Sequence, residues 1–385
     1  MLNIKTLKNS LIFLIAPLFL IACSGFFDKD NTPAPTPLTN ITPEIKPHRL
    51  WTTQTGSGTG DEYLKMNPVV SASAIFTASS TGMVTAIDKI NGHVIWQTNT
   101  HLPIAAGAAA NNGILAVGSR QGDVWTLEQR DGKPLWKTSV PGEILAAPAI
   151  QADIVVVKTI DGFVYGLSAK DGHSVWSFKQ TEPNLILRGA SVPVIRDGDA
   201  LVGFANGNLA KLDVQEGQLL WLQTIAIPEG AFAIQRMIDI DANPVLFEHR
   251  IYAATYQGKI SSLDWASGRV LWTHDISSYT GMIADNSAVY ISDAKSLVWA
   301  FNAENGFVNW RQNQLEARIV SGPATMGHYV VVGDAQGYLH WLDKTDGHFA
   351  ARDFVGSAVY AAPIAENNRL YVLTSNGALI AYTIN

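Results

Sequence analysis

The sequence predicts an all-β fold, an eight-bladed β-propeller with four-stranded blades, and three observations support this prediction. A pattern of paired glycines and a tryptophan recurs along most of the chain, with a period of about 40 residues that is typical of propeller repeats. Apolar and polar residues alternate between the glycines, as they do in short strands with one buried face. The composition combines 32 glycines and 11 tryptophans with only 16% charged residues, which favours many short strands joined by tight turns.

The repeat can be followed through eight copies. Their first positions are Gly82, Gly122, Gly162, Gly207, Gly258, Ser296, Gly337 and Gly377, and most copies follow one another at nearly equal steps. The two exceptions are the longer steps from Gly162 to Gly207 and from Gly207 to Gly258. A second glycine follows 10 positions later in seven copies, and a tryptophan follows 14 positions later in six: Trp96, Trp136, Trp176, Trp221, Trp272 and Trp310. Two departures are Ser296 for a first glycine and Ala351 for the seventh tryptophan.

Each repeat unit is predicted to hold four strands. A small residue or proline opens another apolar strand before each copy, as Pro148, Pro193 and Pro244 do. Four short antiparallel strands in each unit are typical of a propeller blade.

The two ends of the chain predict how the ring closes. The last copy stops at Asn385, before its outer strand and its tryptophan, whereas His48–Gly56 contains Trp51 with no preceding strands of its own. We therefore expect a propeller over residues 48–385 in which the N-terminal strand around Trp51 completes the eighth blade. Such closure leaves no open end in the ring.

Residues 1–22 read as a secretion signal. Lys5 and Lys8 precede the apolar run Leu11–Ile21, which is too short to span a bilayer. The run ends in Leu20–Cys23, which resembles the bacterial lipobox, where a lipid is added to the cysteine and the peptide is cut just before it. An ordinary signal peptide with an incidental cysteine is the alternative.

Residues 23–47 are predicted to be a lipid-anchored, proline-rich tether. Ser24–His48 contains five prolines among threonines and asparagines, and this stretch could reach roughly 80 Å when extended. Ser24 after the lipidated cysteine implies, by the sorting rule of such lipoproteins, an outer-membrane location facing the periplasm. Cys23 is the only cysteine, so the chain has no disulfide and no further thiol for catalysis or metal binding.

Charge and motif content argue against several functions. The formal net charge of −6 does not suit binding along nucleic-acid phosphates or electrostatic attraction to anionic lipid. The nine histidines show no metal-ligand pattern, and neither a nucleophile–base order nor a phosphate-binding loop stands out. We therefore predict no catalytic residues, no cofactor and no metal site.

The form Ala-x-Asp…Gly-x-x-x-Trp of the repeat resembles that of the pyrroloquinoline-quinone (PQQ) dehydrogenases, which are also eight-bladed propellers. The resemblance implies a quinone-dependent enzyme as one alternative. The adjacent-cysteine disulfide of many such enzymes is impossible here, the chain leaves no room for their long insertions, and no clustered calcium-binding set is visible. Fold alone does not decide function.

Another resemblance covers the whole chain. The lipobox, the tether, the eight repeats and the strings Leu185–Gly189, Arg236–Asp241 and Gly333–Trp341 are together similar to the BamB family, the lipoproteins of the outer-membrane β-barrel assembly machinery. The resemblance implies a non-catalytic scaffold that aids insertion of β-barrel proteins. It also implies binding to the barrel-inserting subunit BamA and the other Bam subunits, and contact with unfolded outer-membrane proteins.

In that family the Leu-x-Leu-Arg and Asp-x-Asp strings contact BamA. The resemblance therefore assigns partner binding here to Leu185, Leu187, Arg188, Asp239 and Asp241, with Arg236 as a residue that orients the two aspartates.

The repeat register gives independent support for this site. Arg188 and Asp239 each lie five positions before the proline that opens an inner strand, and both fall in the two longest steps of the repeat. We therefore expect the strings to be neighbours on one face, in loops that have grown on a rigid scaffold.

Less specific readings of these residues remain open. Leu185 and Leu187 could be alternating core residues, and Arg188 could simply pair with Asp239. A propeller hub for another envelope partner is the third alternative function.

Overall fold

The computed structural model describes residues 32–60 and 62–384. These residues form eight four-stranded antiparallel sheets, and the innermost strands of neighbouring sheets contact each other. The eight-bladed propeller predicted from the repeats is confirmed. The predicted signal peptide and Cys23 lie outside the described residues, and within them no helix is both long and apolar enough to cross a membrane.

Each blade runs from a short innermost strand to an outermost strand, which is largely exposed in most blades but half buried in blade 7. Blades 1 to 4 contain β2 (Val69–Val70), β3 (Ala74–Ala78), β4 (Met83–Asp88), β5 (Val94–Asn99); β6 (Ala109–Asn111), β7 (Ile114–Gly118), β8 (Asp123–Glu128), β9 (Pro134–Ser139); β10 (Ala149–Gln151), β11 (Ile154–Lys158), β12 (Phe163–Ser168), β13 (Ser174–Lys179); β14 (Val194–Arg196), β15 (Asp199–Gly203), β16 (Asn208–Asp213) and β17 (Leu219–Thr224). Blades 5 to 7 contain β18 (Val245–Phe247), β19 (Arg250–Ala254), β20 (Gly258–Asp264), β21 (Val270–Ile276); β22 (Gly281–Ala284), β23 (Ala288–Ser292), β24 (Val298–Asn302), β25 (Val308–Gln312); β26 (Ala324–Met326), β27 (Tyr329–Gly333), β28 (Tyr338–Asp343) and β29 (Phe349–Phe354). One 3-10 turn, Ala233–Arg236, lies between blades 4 and 5.

Blade 8 joins the two ends of the chain, as predicted. It consists of β30 (Ile364–Glu366), β31 (Arg369–Leu373), β32 (Ala378–Ile384) and, as its outermost strand, β1 (Pro47–Gln54). Trp51 of β1 pairs with Ala381 of β32. The first strand of the fold is therefore held by the last, and the ring closes through antiparallel hydrogen bonds.

The tryptophans cover the seams between neighbouring blades. The indole of Trp136 lies against Gly172 of the next blade, where an added Cβ would come within 2.5 Å of the ring, and its N–H donates to Ala169 O over 2.8 Å. Gly172 has a φ of +77°, so the turn needs glycine for its backbone as well as for the indole. Trp51, Trp96, Trp176, Trp272 and Trp310 make the same contact with the following blade.

The two departures from the repeat have structural counterparts. Ser296 adopts the positive φ of the missing glycine, +73°. In blades 1 to 6 the tryptophan stands on the outermost strand and pairs with a different residue type on the third strand. In blade 7 the arrangement is reversed: Trp341 stands on the third strand, β28, and pairs with Ala351 on the outermost strand, β29. The tryptophan has moved one strand inward, where it is fully buried.

Residues 36–46, which the sequence assigns to the tether, lie against the ring in the structure. Leu38 and Ile41 pack against the core at blades 6 and 7, and Ile45 packs against the core at blades 7 and 8. The prolines around these residues favour an extended backbone, which suits a segment laid along a surface as well as it suits a free linker.

Candidate functional site

The two long connections predicted to be neighbours lie side by side. The 3–4 connection, residues 180–193, joins β13 to β14, and the 4–5 connection, residues 225–244, joins β17 to β18. Two backbone N–H groups of the first donate to side chains of the second: Leu187 N to Asp239 Oδ1 and Val192 N to Asn243 Oδ1, both over 2.8 Å. The expectation from the repeat register, that the two strings are adjacent, is confirmed.

The aspartates of the second string are buried. Asp239 and Asp241 are 1% and 5% exposed, so their carboxylates lie beneath the connections and do not face solvent. Asp241 packs against Gly189, where an added Cβ would lie 2.6 Å from its Oδ2. The sequence indicated that these acids belong to the site, but it did not indicate that they support its loops from within.

Two lysines accompany the aspartates, Lys65, which is half-buried, and Lys158, which is buried. Lys65 Nζ donates to the backbone oxygens of Asp241 and Tyr279 over 2.8 and 2.7 Å, although Lys65 stands far earlier in the chain. Lys158 Nζ donates to Gly203 O over 2.5 Å. Burial lowers the pKa of both lysines, while the charge on Asp241 opposes this change. Sequence analysis missed both lysines because their partners lie in other blades, distant ones for Lys65 and the next one for Lys158.

The carboxyl of Asp239 is strongly perturbed. Burial, together with the nearby charge of Asp241, raises its pKa to about 7, although the hydrogen bond from Leu187 N favours the charged form. Burial also raises the pKa of Asp241, against the opposing charges of Lys65 and Lys158. The cluster therefore places two acids and two cations in a region of low solvent access.

The residues above this cluster are exposed. Leu185 is 45% exposed, and the Arg188 side chain is 71% exposed. Arg188 Nη2 donates to Glu143 Oε1 over 2.7 Å, so the cation pairs with the connection between blades 2 and 3 and not, as one alternative supposed, with Asp239. An exposed pair of this kind contributes about 0–1 kcal/mol, so the guanidinium can be engaged elsewhere at little cost.

The tip of the 4–5 connection, residues 227–236, is an apolar projection that sequence analysis did not identify. Ile227, Phe232 and Ile234 are 73%, 68% and 63% exposed. The tip is nevertheless ordered: Gln235 Oε1 accepts from the N–H groups of residues 231 and 232, and Gln257 donates to Ile234 O. The long step from Gly207 to Gly258 was the available signal, since it marks the longest insertion in the repeat.

Arg236 ends the 3-10 turn of this tip and is exposed. Among the described residues no carboxylate lies within ion-pair distance of its guanidinium. The structure does not place it against Asp239 or Asp241, as its suggested orienting role would require.

A funnel of about 570 Å³ opens beside the 3–4 connection and is lined by Leu187, Arg188 and the segments that lead into the innermost strands of several blades. The ring of Tyr63 lies edge-on to Tyr279 and Tyr360, with centroids 6.0 and 5.0 Å apart. The charged side chains that line the funnel are Lys65, Arg188 and Asp241. Lys65 is already bonded to backbone oxygens and Arg188 to Glu143.

One group of potential metal ligands was not anticipated. Asp343, Asp346 and His348 bring ligand atoms within 4.8 Å of one another. Both ring nitrogens of His348 are engaged, Nδ1 by Asp346 over 2.5 Å and Nε2 by Glu44 over 2.9 Å. These contacts give the imidazole a structural role between two carboxylates.

Comparisons with known proteins agree with the geometry. The family model described as outer membrane protein assembly factor BamB matches residues 80–312 and 294–385. The assembly factor BamB of Pseudomonas aeruginosa is 45% identical over 368 residues, covering 95% of this chain and 96% of the relative. That of Legionella pneumophila is 44% identical over 352 residues, covering 91% and 92%.

Solved structures give the same result. The crystal structure of BamB from Moraxella catarrhalis superposes with a TM-score of 0.80 at 28% identity, covering 88% of this chain and 100% of that one. A quinohemoprotein alcohol dehydrogenase from Comamonas testosteroni superposes with a TM-score of 0.70 at 14% identity, covering 87% of this chain and 76% of that one, which shows a shared fold alone. The match of the family model and the near-full-length relatives show that this chain belongs to the BamB family of outer membrane protein assembly factors.

Proposed function

We propose that this chain is a non-catalytic scaffold that assists the assembly of β-barrel proteins in the outer membrane. Family membership over nearly the full chain supports this role. The observation that carries the proposal is the pairing of the two long connections through Leu187 and Asp239. This pairing fixes two exposed loops on a rigid ring, which is how binding surfaces are commonly built.

The proposed contact surface consists of Leu185, Arg188 and the tip residues Phe232 and Ile234, with Leu187 beneath them. Exposed apolar side chains beside a guanidinium make an effective hot spot, because Arg can form forked hydrogen bonds while the apolar groups lose contact with water. Asp239 and Asp241 act from below, since their burial keeps them from direct contact with a partner. Arg236, at the end of the tip, is exposed and adds a second cation.

We assign this surface to BamA, the barrel-inserting subunit, on the family resemblance of the two strings. Through BamA the ring would join the other Bam subunits. In this proposal, the chain is held at the periplasmic face of the outer membrane by lipid on Cys23. Replacing Cys23 with Ser should move the protein from the membrane fraction to the soluble periplasmic fraction. Retention in the membrane fraction would argue against the anchor.

The partner assignment is tested by co-purification with BamA from cells. Recovery should fall about tenfold or more for Arg188→Ala and for Phe232→Ser, since hot-spot residues cost about 2 kcal/mol or more on truncation. The matched controls are Arg130→Ala and Leu135→Ser, which change exposed residues of blade 2. Recovery of all four variants at the level of the unmodified chain would exclude this surface, whereas reduced recovery of all four would indicate a folding defect.

We further propose that unfolded precursors pair with blade edges. The outermost strands carry exposed apolar side chains, among them Ile95, Val175 and Leu220 at 50%, 46% and 46% exposure, and on one side they have no strand partner among the described residues. An extended chain can add to such an edge by β-augmentation. Slower amide exchange in β5, β13 and β17 on adding a precursor is the expected result, and unchanged exchange would refute this mode.

Quinone-dependent oxidation is the alternative function. It requires PQQ and calcium to co-purify with the protein, and the scaffold proposal expects neither. Two of the three charged lining groups of the funnel, Lys65 and Arg188, already form hydrogen bonds within the ring, which favours a structural interior over a catalytic one. Detection of stoichiometric PQQ in the protein isolated from its native membrane would overturn the non-catalytic proposal.

A further inference from the structure

Residues 36–46 form a strap that lies along blade 7. Two backbone hydrogen bonds hold its ends: Thr36 N donates to Glu316 O over 3.0 Å, and Glu44 N donates to Ala350 O over 2.8 Å. Both acceptors belong to the ring and stand far along the chain from the strap. These hydrogen bonds fix the strap backbone at defined positions on the ring. In a free linker the same backbone groups would bond to water instead.

Two guanidinium groups bind the strap between these points. Arg318 Nη1 donates to Thr36 O over 3.0 Å, and Arg352 Nη1 donates to Thr39 O over 2.9 Å. The two accepting carbonyls stand close together in the strap. Hydrogen bonds from charged donors are stronger than neutral ones, so the two arginines form a cradle for an extended backbone.

A buried network positions the two arginines. Arg318 Nε donates to Asp334 Oδ2 over 2.7 Å, and the same oxygen lies 3.0 Å from His340 Nε2. Arg352 Nε donates to His340 Nδ1 over 3.2 Å. Asp334 and His340 are fully buried, and burial lowers the pKa of His340, so a neutral ring donates from Nε2 and accepts at Nδ1. The chain Arg318–Asp334–His340–Arg352 thus directs both guanidinium groups toward the strap.

Ile45 of the strap completes the seam that lacks an outer-strand tryptophan. Ile45 packs against the cluster that contains Ala351 and Trp341. The outer-strand position that tryptophan occupies in blades 1 to 6 is alanine here, and the tryptophan, Trp341, stands on the third strand instead. Room for the strap therefore exists at the one blade of the described ring where the outer tryptophan is missing.

We propose that residues 36–46 are a built-in strap that replaces the outer tryptophan of blade 7 and fixes the place on the ring where the N-terminal segment is attached. The part of the predicted tether that precedes the strap then ends near residue 35, and its maximum reach from Cys23 is roughly 40 Å instead of roughly 80 Å. Blade 7 is separated from blade 4 by two other blades, so the attachment point and the paired connections occupy different parts of the ring. This inference depends only on strap contacts and stands apart from the partner assignment.

Hydrogen exchange on the purified full chain tests the strap. The amides of Thr36 and Glu44 should exchange on the order of 100-fold more slowly than those of an unstructured peptide, because both donate to the ring. The combined variant Leu38→Ser, Ile41→Ser and Ile45→Ser should bring both rates close to the unstructured value, while amides of blades 2 to 5 keep their protection.

The matched control is Leu135→Ser, Val175→Ser and Leu271→Ser, three exposed apolar residues on outer strands away from the strap. It should leave the strap amides protected. Because the ring retains its own core in the strap variant, protection in blades 2 to 5 reports that it has folded. Unprotected Thr36 and Glu44 in the unmodified chain would overturn the proposal, and so would full protection in the strap variant.

Discussion

The backbone N–H of Leu187 donates to Asp239 Oδ1 over 2.8 Å, which joins two connections from neighbouring blades. The second oxygen of that carboxylate, Oδ2, is buried and has no hydrogen-bond partner among the described residues. A half-satisfied buried carboxylate favours its protonated form. The same residue therefore holds the candidate site together and makes its stability depend on pH.

Stability should fall as pH rises, as far as Asp239 is concerned. Its pKa is raised from 3.8 to about 7, so the folded chain binds a proton that the unfolded chain has lost. This contribution to the unfolding free energy is complete below the unfolded pKa of 3.8, where both states hold the proton, and it is lost progressively as pH rises from there through the folded pKa of about 7. Asp239→Asn keeps an oxygen for Leu187 N and removes the charge, so its unfolding free energy relative to that of the unmodified chain should be about 3 kcal/mol more favourable at pH 8 than at pH 5.

Urea denaturation at the two pH values measures this effect. The matched control is Asp153→Asn, which changes an exposed acid in the turn between β10 and β11. It should show the same pH dependence as the unmodified chain. A pH dependence of Asp239→Asn that equals that of the unmodified chain would show that Asp239 ionises normally.

The seam tryptophans predict a difference between two conservative variants. Trp136 donates to Ala169 O over 2.8 Å, whereas Trp221 Nε1 has no partner among the described residues. Both substitutions by Phe lose similar ring volume over the glycine of the next blade, but only Trp136→Phe leaves a carbonyl without its donor. Trp136→Phe should therefore cost about 1 kcal/mol more than Trp221→Phe.

Chemical denaturation of both variants gives this comparison directly. Equal losses of unfolding free energy would mean that the indole hydrogen bonds add nothing to the seams beyond packing.

His348 should titrate above the usual histidine range. Hydrogen bonds from its ring to Asp346 and Glu44 raise its pKa, and each carboxylate engages a different ring nitrogen. The contribution of the charged ring to the unfolding free energy is fully present below the unfolded pKa of 6.5 and is lost as pH rises through the folded pKa. NMR titration of the imidazole should show a midpoint above 6.5, and Glu44→Gln should lower it. An unchanged midpoint in Glu44→Gln would place Glu44 away from His348 in solution.

The sequence predicted the parts of the structure that repeat. The recurring spacing of Gly92 and Trp96 specifies the number of blades, the turn positions and the seams, because each tryptophan packs on the turn glycine of the next blade. Trp51 indicated how the ring closes, because it is the outer-strand tryptophan that the last repeat lacks. The two long connections were located because they interrupt the period.

The sequence could not predict features that depend on contacts between distant blades. Asp239 and Asp241 look like loop acids, and only the fold shows that Lys65 and the 3–4 connection bury them. The strap residue Ile45 stands in a proline-rich stretch whose composition equally fits a linker, and its binding site on blade 7 is assembled from residues near the other end of the chain.

If the paired connections form the partner surface, BamA should leave an exchange footprint on them in the purified ring. Saturating BamA should slow amide exchange in residues 184–188 and 229–236, with no change in the amides of blades 1, 7 and 8. The combined variant Arg188→Ala and Phe232→Ser should abolish the footprint, whereas Arg130→Ala and Leu135→Ser together should preserve it. A footprint confined to other blades, or one that persists unchanged in the Arg188→Ala and Phe232→Ser variant, would show that the paired connections are not the BamA-binding surface.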